Sequence, residues 1–280
     1  MNRIAYIRGY IERRQLGDNS ILYALIRCLS LNEGLTLLHE SYINDLALRD
    51  AVLYVLDDLE GKDREALIDS FSRGLIQDFA GIPANRRSSV FLCLGTLLNR
   101  VSDQVKHEIK VFLLSSKYAA GRRKGLKLLE SDEVSRYRIL IEQCSIQYGE
   151  YHASMLIVRR FSPEYVYENR QTLLRSINAP SAIARLYLRA AEFDSNCISE
   201  LEEYDGITFA YVKAKRGEKI GKAKALSLLE EYRLDDRIGL LAWSFGKLGL
   251  WDVITKMAES FDDWTQERAQ QLRERYDLSD

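Results

Sequence analysis

A ten-residue stretch of this chain recurs one hundred positions further on: Gly121-Arg122-Arg123-Lys124-Gly125-Leu126-Lys127-Leu128-Leu129-Glu130 against Gly221-Lys222-Ala223-Lys224-Ala225-Leu226-Ser227-Leu228-Leu229-Glu230. Both copies read glycine, base, any residue, lysine, small residue, leucine, any residue, Leu-Leu-Glu. Self-similarity in a helical pattern marks helix-turn-helix units that bury their apolar faces against neighbouring units. Three prolines in 280 residues, against a usual share of about 5%, leave long stretches free of the residue that breaks helices. The chain is therefore read as all-α.

Helix starts are legible where Ser, Asn or Asp precedes an apolar-periodic run, because a side-chain oxygen there satisfies orphan backbone N–H groups. Candidate caps are Asp18, Asn32, Asn44, Ser102, Ser131, Ser162 and Ser195, with Ser162-Pro163-Glu164 the clearest. Leu48, Ala51, Val52, Val55, Leu56 and Leu59 form one apolar stripe; Val90, Leu94, Leu97 and Leu98 form another. The spacing predicts about sixteen to eighteen helices joined by short loops, which suits stacked hairpins. Cys28, Cys93, Cys144 and Cys197 lie far apart in apolar stretches and are read as free, buried thiols.

A second recurrence is shorter and more regular. Arg49-Asp50-Ala51-Val52 aligns with Arg87-Ser88-Ser89-Val90 at an offset of 38, and again with Arg123-Lys124-Gly125-Leu126 at a further 36. An arginine three residues before the first large aliphatic, opening the second helix of a hairpin, resembles HEAT-like repeats over about 32–135, whose period is near 40. Toward the C-terminus, the segments around Lys215-Arg216-Gly217 and Lys247-Leu248-Gly249 look like the turns of tetratricopeptide-like repeats, a texture covering about 206–262. Both resemblances imply a right-handed superhelix of about seven to nine stacked helix pairs. With no low-complexity linker, residues 1–280 are read as one continuous α-solenoid, with a soft hinge at Gly149 or Ala179-Pro180 as the alternative.

Chemistry is hard to find. The three histidines, His39, His107 and His152, lack zinc-ligand spacing, so no metal is assigned. Phosphate-cradling glycine motifs and a nucleophile elbow are missing too, and no cofactor is assigned. Paired carboxylates at Asp57-Asp58, Asp132-Glu133, Glu202-Glu203, Asp235-Asp236 and Asp262-Asp263 point about 100° apart on a helix and so do not converge on one substrate atom. A net charge of −1 gives no overall field toward nucleic acid or a membrane. No window approaches about 18 consecutive apolar residues, so the expectation is a cytoplasmic protein with no membrane partner.

Two basic clusters stand above background. Arg122, Arg123, Lys124 and Lys127 form one; Lys213, Lys215, Arg216, Lys219, Lys222 and Lys224 form the other, with Glu218 among them and Glu192, Asp194, Glu200, Glu202, Glu203 and Asp205 upstream as possible counter-charges. If equivalent repeat positions stack with a constant rotation, the clusters share a ridge, and Tyr118, Tyr137 and Tyr211 lie near enough in sequence to add stacking. Tyr148, Tyr151, Tyr165 and Tyr167 accompany Arg159, Arg160, Arg170 and Arg175, a composition enriched at protein-binding hot spots.

The leading expectation is a non-enzymatic scaffold that binds a protein partner on a concave surface. The alternative is nucleic-acid backbone binding along the basic ridge. A third reading, an enzyme resembling glycosylase-like HEAT folds, would use Trp243, Trp251 or Trp264 with a carboxylate; the simpler role for those tryptophans is anchoring the last repeats.

Overall fold

A computed structural model describes residues 3–13, 20–44 and 46–259. Among them every regular element is helical, and there are seventeen α-helices. By contact the chain divides into two compact units, Met1–His152 and Ala153–Asp280. The division falls just after Gly149, whose φ of +62° is the left-handed backbone that glycine adopts without strain.

The first unit contains α1 (Arg3–Arg13), α2 (Ser20–Arg27), α3 (Leu31–Asn44), α4 (Leu46–Val55), α5 (Arg64–Asp78), α6 (Arg87–Leu97), α7 (Asp103–Leu114), α8 (Ala119–Lys127) and α9 (Arg138–Ile146). Neighbours pair, as in α3 with α4 and α7 with α8. Alternate helices also touch: α2, α4, α6 and α8 pack one on the next, as do α3, α5, α7 and α9. Apolar patterning explains the sorting. In α6, Ser89, Val90, Phe91, Cys93, Leu94 and Leu97 are all buried, because a helix flanked on three sides must be apolar nearly all round. Both stripes read from the sequence are buried throughout. The recurrence at offsets of 38 and 36 falls on α4, α6 and α8, three successive members of one layer.

After α10 (Tyr151–Arg160), the second unit continues with α11 (Pro163–Leu174), α12 (Pro180–Ala190), α13 (Glu200–Tyr204), α14 (Gly206–Arg216), α15 (Lys222–Glu231), α16 (Ile238–Lys247) and α17 (Trp251–Glu259). The alternation is the same, with α12 on α14 on α16 and α15 on α17. Gly217 ends α14 and Gly249 follows α16, with φ of +68° and +74°. These are the left-handed residues that close a helix by returning N–H groups to its last carbonyls.

Within each unit, polar side chains bridge residues 28 to 35 positions apart in sequence. In the first unit Arg73 holds Glu108 at 2.9 Å, Ser102 donates to Asp69 at 2.6 Å, and Arg122 reaches Glu150 at 2.8 Å. In the second, Arg170 holds Glu200 at 2.6 Å, Arg237 holds Asp205 at 2.7 Å, and Arg189 donates to the carbonyl of Phe161 at 2.9 Å. The Arg122–Glu150 pair is buried on both sides, with side-chain exposures of 6% and 5%. Arg122 also donates to the Ser116 carbonyl and lies over the Tyr148 ring at 3.9 Å.

Several local expectations need correction. Ser102 and Ser162 cap α7 and α11 as read, accepting from Val105 and Tyr165. Asn32 instead lies inside α3, whose start is a reciprocal box: Ser30 Oγ accepts from the Glu33 N–H while Glu33 accepts from the Ser30 N–H. Asn44 is the last residue of α3 rather than a start. Ser131 opens a turn, and α9 begins only at Arg138; the cap read at Ser195 is Asp194. Cys28 is exposed at the end of α2, whereas Cys93, Cys144 and Cys197 are buried. Burial pushes the Cys93 thiol up to about 12 and those of Cys144 and Cys197 up to about 11, which keeps all three protonated. Asp18, Asp262, Asp263 and Trp264 lie outside the described residues.

Two outcomes follow from the stitching. Glu150→Ala strands Arg122 without a counter-ion in the interior and is expected to lower the unfolding free energy by about 3–5 kcal/mol in urea titration. Lys127→Ala, on the exposed side of α8, changes it by less than about 0.5 kcal/mol. The hydrogen bonds from Arg170, opposed by burial, hold the Glu200 carboxyl below its ordinary value of 4.5. A lowered carboxyl contributes stability that is complete above the unfolded value and is lost as pH falls through the folded one. Stability should therefore decline below pH 4.5, and Glu200→Gln should flatten that decline while lowering stability at pH 7.

Candidate functional site

Three helices of the second unit, α12, α14 and α16, lie side by side and bury most of their surface in one another and in the layer beneath. What each leaves uncovered recurs at helical spacing. On α12 it is Ser181, Arg185 and Leu188; on α14, Tyr211 and Lys215; on α16, Leu240, Trp243 and Lys247. Between them opens a cleft of about 470 Å³ with Pro180, Ala184, Leu188 and Leu240 as its apolar lining and Arg185, Tyr211 and Arg237 as its polar edge.

The guanidinium of Arg237 is fixed. It donates to Asp235 at 3.0 Å and to Asp205 at 2.7 Å, bonds that outweigh burial and raise its pKa further. Asp205 also accepts from Thr208 Oγ1 at 2.5 Å and caps α14 by accepting from the Ile207 N–H. At this end of the groove one guanidinium is shared by two carboxylates, so Arg237 is fully engaged within the chain. At the other end the Tyr211 and Trp243 rings pack with centroids 5.5 Å apart. Lys215 Nζ lies 5.6 Å from the Tyr211 centroid and 5.2 Å from that of Trp243, and Lys247 Nζ lies 5.9 Å from Trp243. Two ammonium groups over an electron-rich aromatic pair make a surface that is both cationic and apolar. Tyr211 belongs to both features, as a wall of the cleft and half of the aromatic pair.

The sequence-derived candidates distribute unevenly around this site. Lys215 joins it. Lys213 and Arg216 both pair with Glu218, at 2.8 and 2.5 Å. Lys222 pairs with Asp252, Lys224 pairs with Glu202 at 2.8 Å, and Lys219 is exposed beyond α14. Counter-charges thus absorb much of the second cluster, Glu202 among the upstream acids. In the first unit Arg122 is buried, Arg123 bonds Glu150 at 3.1 Å, the Lys124 stem lies across Gly95 of α6, and Lys127 is exposed.

The ten-residue recurrence also fails to place its copies alike. Gly121 is buried within α8, where a Cβ would meet Ser116 and Phe91, whereas Gly221 sits ahead of α15 as its cap residue. The first copy packs on α6 and α7, the second on α17.

Of the tyrosine and arginine group, Arg159 and Arg160 are exposed at the end of α10. Tyr165 packs on Phe161 at 5.2 Å, and Tyr167 donates to Asp194 at 3.0 Å beneath Arg170. Tyr118 accepts from Arg87, and Tyr137 is buried beside His107, so of the three proposed stacking tyrosines Tyr211 is the one on a surface groove.

Sequence reasoning missed Arg185, Leu240 and Lys247, and it took Trp243 and Trp251 for core anchors. They are 37% and 65% exposed. The available signal was spacing: an aromatic and a base one helical turn apart, Tyr211 with Lys215 and Trp243 with Lys247. A second cleft, in the first unit, is lined by Arg3, Arg27, Cys28 and Asp58 among others, and Arg27 is there paired with Asp58 at 2.7 Å. Among the described residues no cluster of three or more His, Cys, Asp or Glu side chains is placed to hold a metal ion, and no helix is long and apolar enough to cross a membrane.

Comparison with protein-family models, with curated proteins and with solved structures finds no match for this chain.

Exposure of the tryptophans is directly measurable. Trp243→Phe and Trp251→Phe should each remove an acrylamide-quenchable part of the tryptophan emission and change the unfolding free energy by less than about 1 kcal/mol, as surface positions do.

Proposed function

We propose that this chain is a non-enzymatic interaction protein in which helical hairpins stack as a right-handed α–α superhelix, and that it holds a protein partner on the concave layer of alternate helices. The resemblance to HEAT-like and tetratricopeptide-like repeats points the same way, as does the alternation of helices between two layers within each unit.

The observation that carries this reading is the α12–α14–α16 face. A half-buried tyrosine, an exposed tryptophan, an apolar cleft and bases share one surface there, the composition that concentrates binding energy in protein interfaces. Nucleic-acid binding along a basic ridge draws less support, because Lys213, Arg216, Lys222 and Lys224 are each engaged by a carboxylate. A backbone-tracking groove needs its cations free for phosphates.

Affinity capture from the native cells tests the reading. The full chain should recover a protein at fixed stoichiometry, and the triple variant Arg185→Glu, Lys215→Glu, Lys247→Glu should lose it with a melting temperature unchanged within about 2 °C. A Lys219→Glu control, off this face, should retain it. Equal capture by the triple variant, or captured material that nuclease removes, would overturn the proposal.

A further inference from the structure

Resting on the interaction reading above, we propose that the α12–α14–α16 face takes an extended segment of its partner in which a bulky aliphatic residue is followed, at alternate positions, by carboxylates.

Charge complementarity selects the acid. Arg185, Lys215 and Lys247 have no carboxylate at ion-pair distance among the described residues, while the acids at the same face, Asp205 and Asp235, are committed to Arg237. Three such bases repel a basic segment, are indifferent to a neutral one and attract an acidic one, and carboxylates over Lys215 and Lys247 would meet charge-assisted donors.

The cleft selects the aliphatic residue. Ala184, Leu188 and Leu240 line its apolar part, with Arg185 at its edge, and an apolar side chain entering it removes apolar surface from water on both partners.

Spacing joins the two. Tyr211 walls the cleft, and Lys215 lies four residues beyond it on α14, about 6 Å along the axis; Leu240 lines the cleft, and Lys247 lies seven residues beyond it on α16, about 10.5 Å along the axis. An extended chain advances about 3.3 Å per residue and returns its side chains to the same face every second residue. A leucine in the cleft therefore presents the residues two and four positions on to the lysines, while the intervening residues face solvent. Single-stranded nucleic acid would stack on Tyr211 and Trp243 and meet the lysines, but would leave the aliphatic cleft unfilled.

The full chain is titrated at low salt with an acetylated, amidated, fluorescein-labelled peptide, Ser-Gly-Leu-Ser-Glu-Ser-Glu-Gly-Ser, read by anisotropy. Controls replace the leucine by serine, replace both glutamates by glutamine, or move the glutamates one position to give Ser-Gly-Leu-Glu-Ser-Glu-Ser-Gly-Ser; a twelve-nucleotide oligo(dT) is the nucleic-acid arm. The first peptide should bind at least about tenfold more tightly than each control, and Lys215→Glu with Lys247→Glu should weaken it by at least about tenfold, with an unchanged melting temperature.

The assignment is overturned if the glutamine or shifted peptide binds equally, if oligo(dT) binds while no peptide does, or if the charge reversals leave peptide affinity unchanged. Should no peptide bind while the triple variant still abolishes capture of the native partner, the acidic-aliphatic assignment fails and the interaction reading stands. If neither responds, both fail.

Discussion

One constraint shapes the packing within each unit: a single helix pair is too small to bury its own apolar faces, so it must be covered by other helices. That explains why α2, α4, α6 and α8 lie against one another and why α3, α5, α7 and α9 do the same. It also explains why so little of α14 stays open: the helix is covered by α12, α13 and α16, and what remains in reach of water is Tyr211 and Lys215 with the basic residues at its C-terminal end.

The polar stitching adds order to this apolar scheme. Arg122 with Glu150, Arg170 with Glu200 and Arg237 with Asp205 each join one hairpin to the following one, and each fixes a relative height that apolar contact alone leaves soft. Buried charge pairs contribute little net stability but penalise misalignment, since a guanidinium that misses its carboxylate is left unpaired in a poorly hydrated place. The same pairs decide which bases are available outside. Arginines and lysines that looked like one cluster in the sequence separate into those bound by carboxylates and those, such as Lys215, that only meet aromatic faces.

How much of this was legible in the sequence depends on the kind of signal. Helicity and the buried stripes at Leu48–Leu59 and Val90–Leu98 were, because apolar periodicity reports the local question of which side of a helix is wet. The offsets of 38 and 36 located α4, α6 and α8 because an arginine ahead of the first aliphatic recurs once per hairpin. The longer match between 121–130 and 221–230 misled, since identical letters start at Gly121 within one helix and at Gly221 before another. The site was half legible. Lys215 could be named from charge density, but Arg185 lies on α12 and the Trp243–Lys247 pair on α16, and only tertiary packing brings them to Lys215 on α14. Tryptophan in particular reads as core from composition alone, whereas Trp243 packs beside Tyr211 and leaves 37% of its surface in water.

The ion pairs that bridge consecutive hairpins also bear on how such an array can change. Each pair is particular to its own junction: Glu150 answers Arg122, Asp205 answers Arg237, and the partners are not interchangeable letters of a consensus. Excising or duplicating one helix pair would leave a charge without its counter-ion at the junction, so the helix pairs of this chain are not interchangeable units.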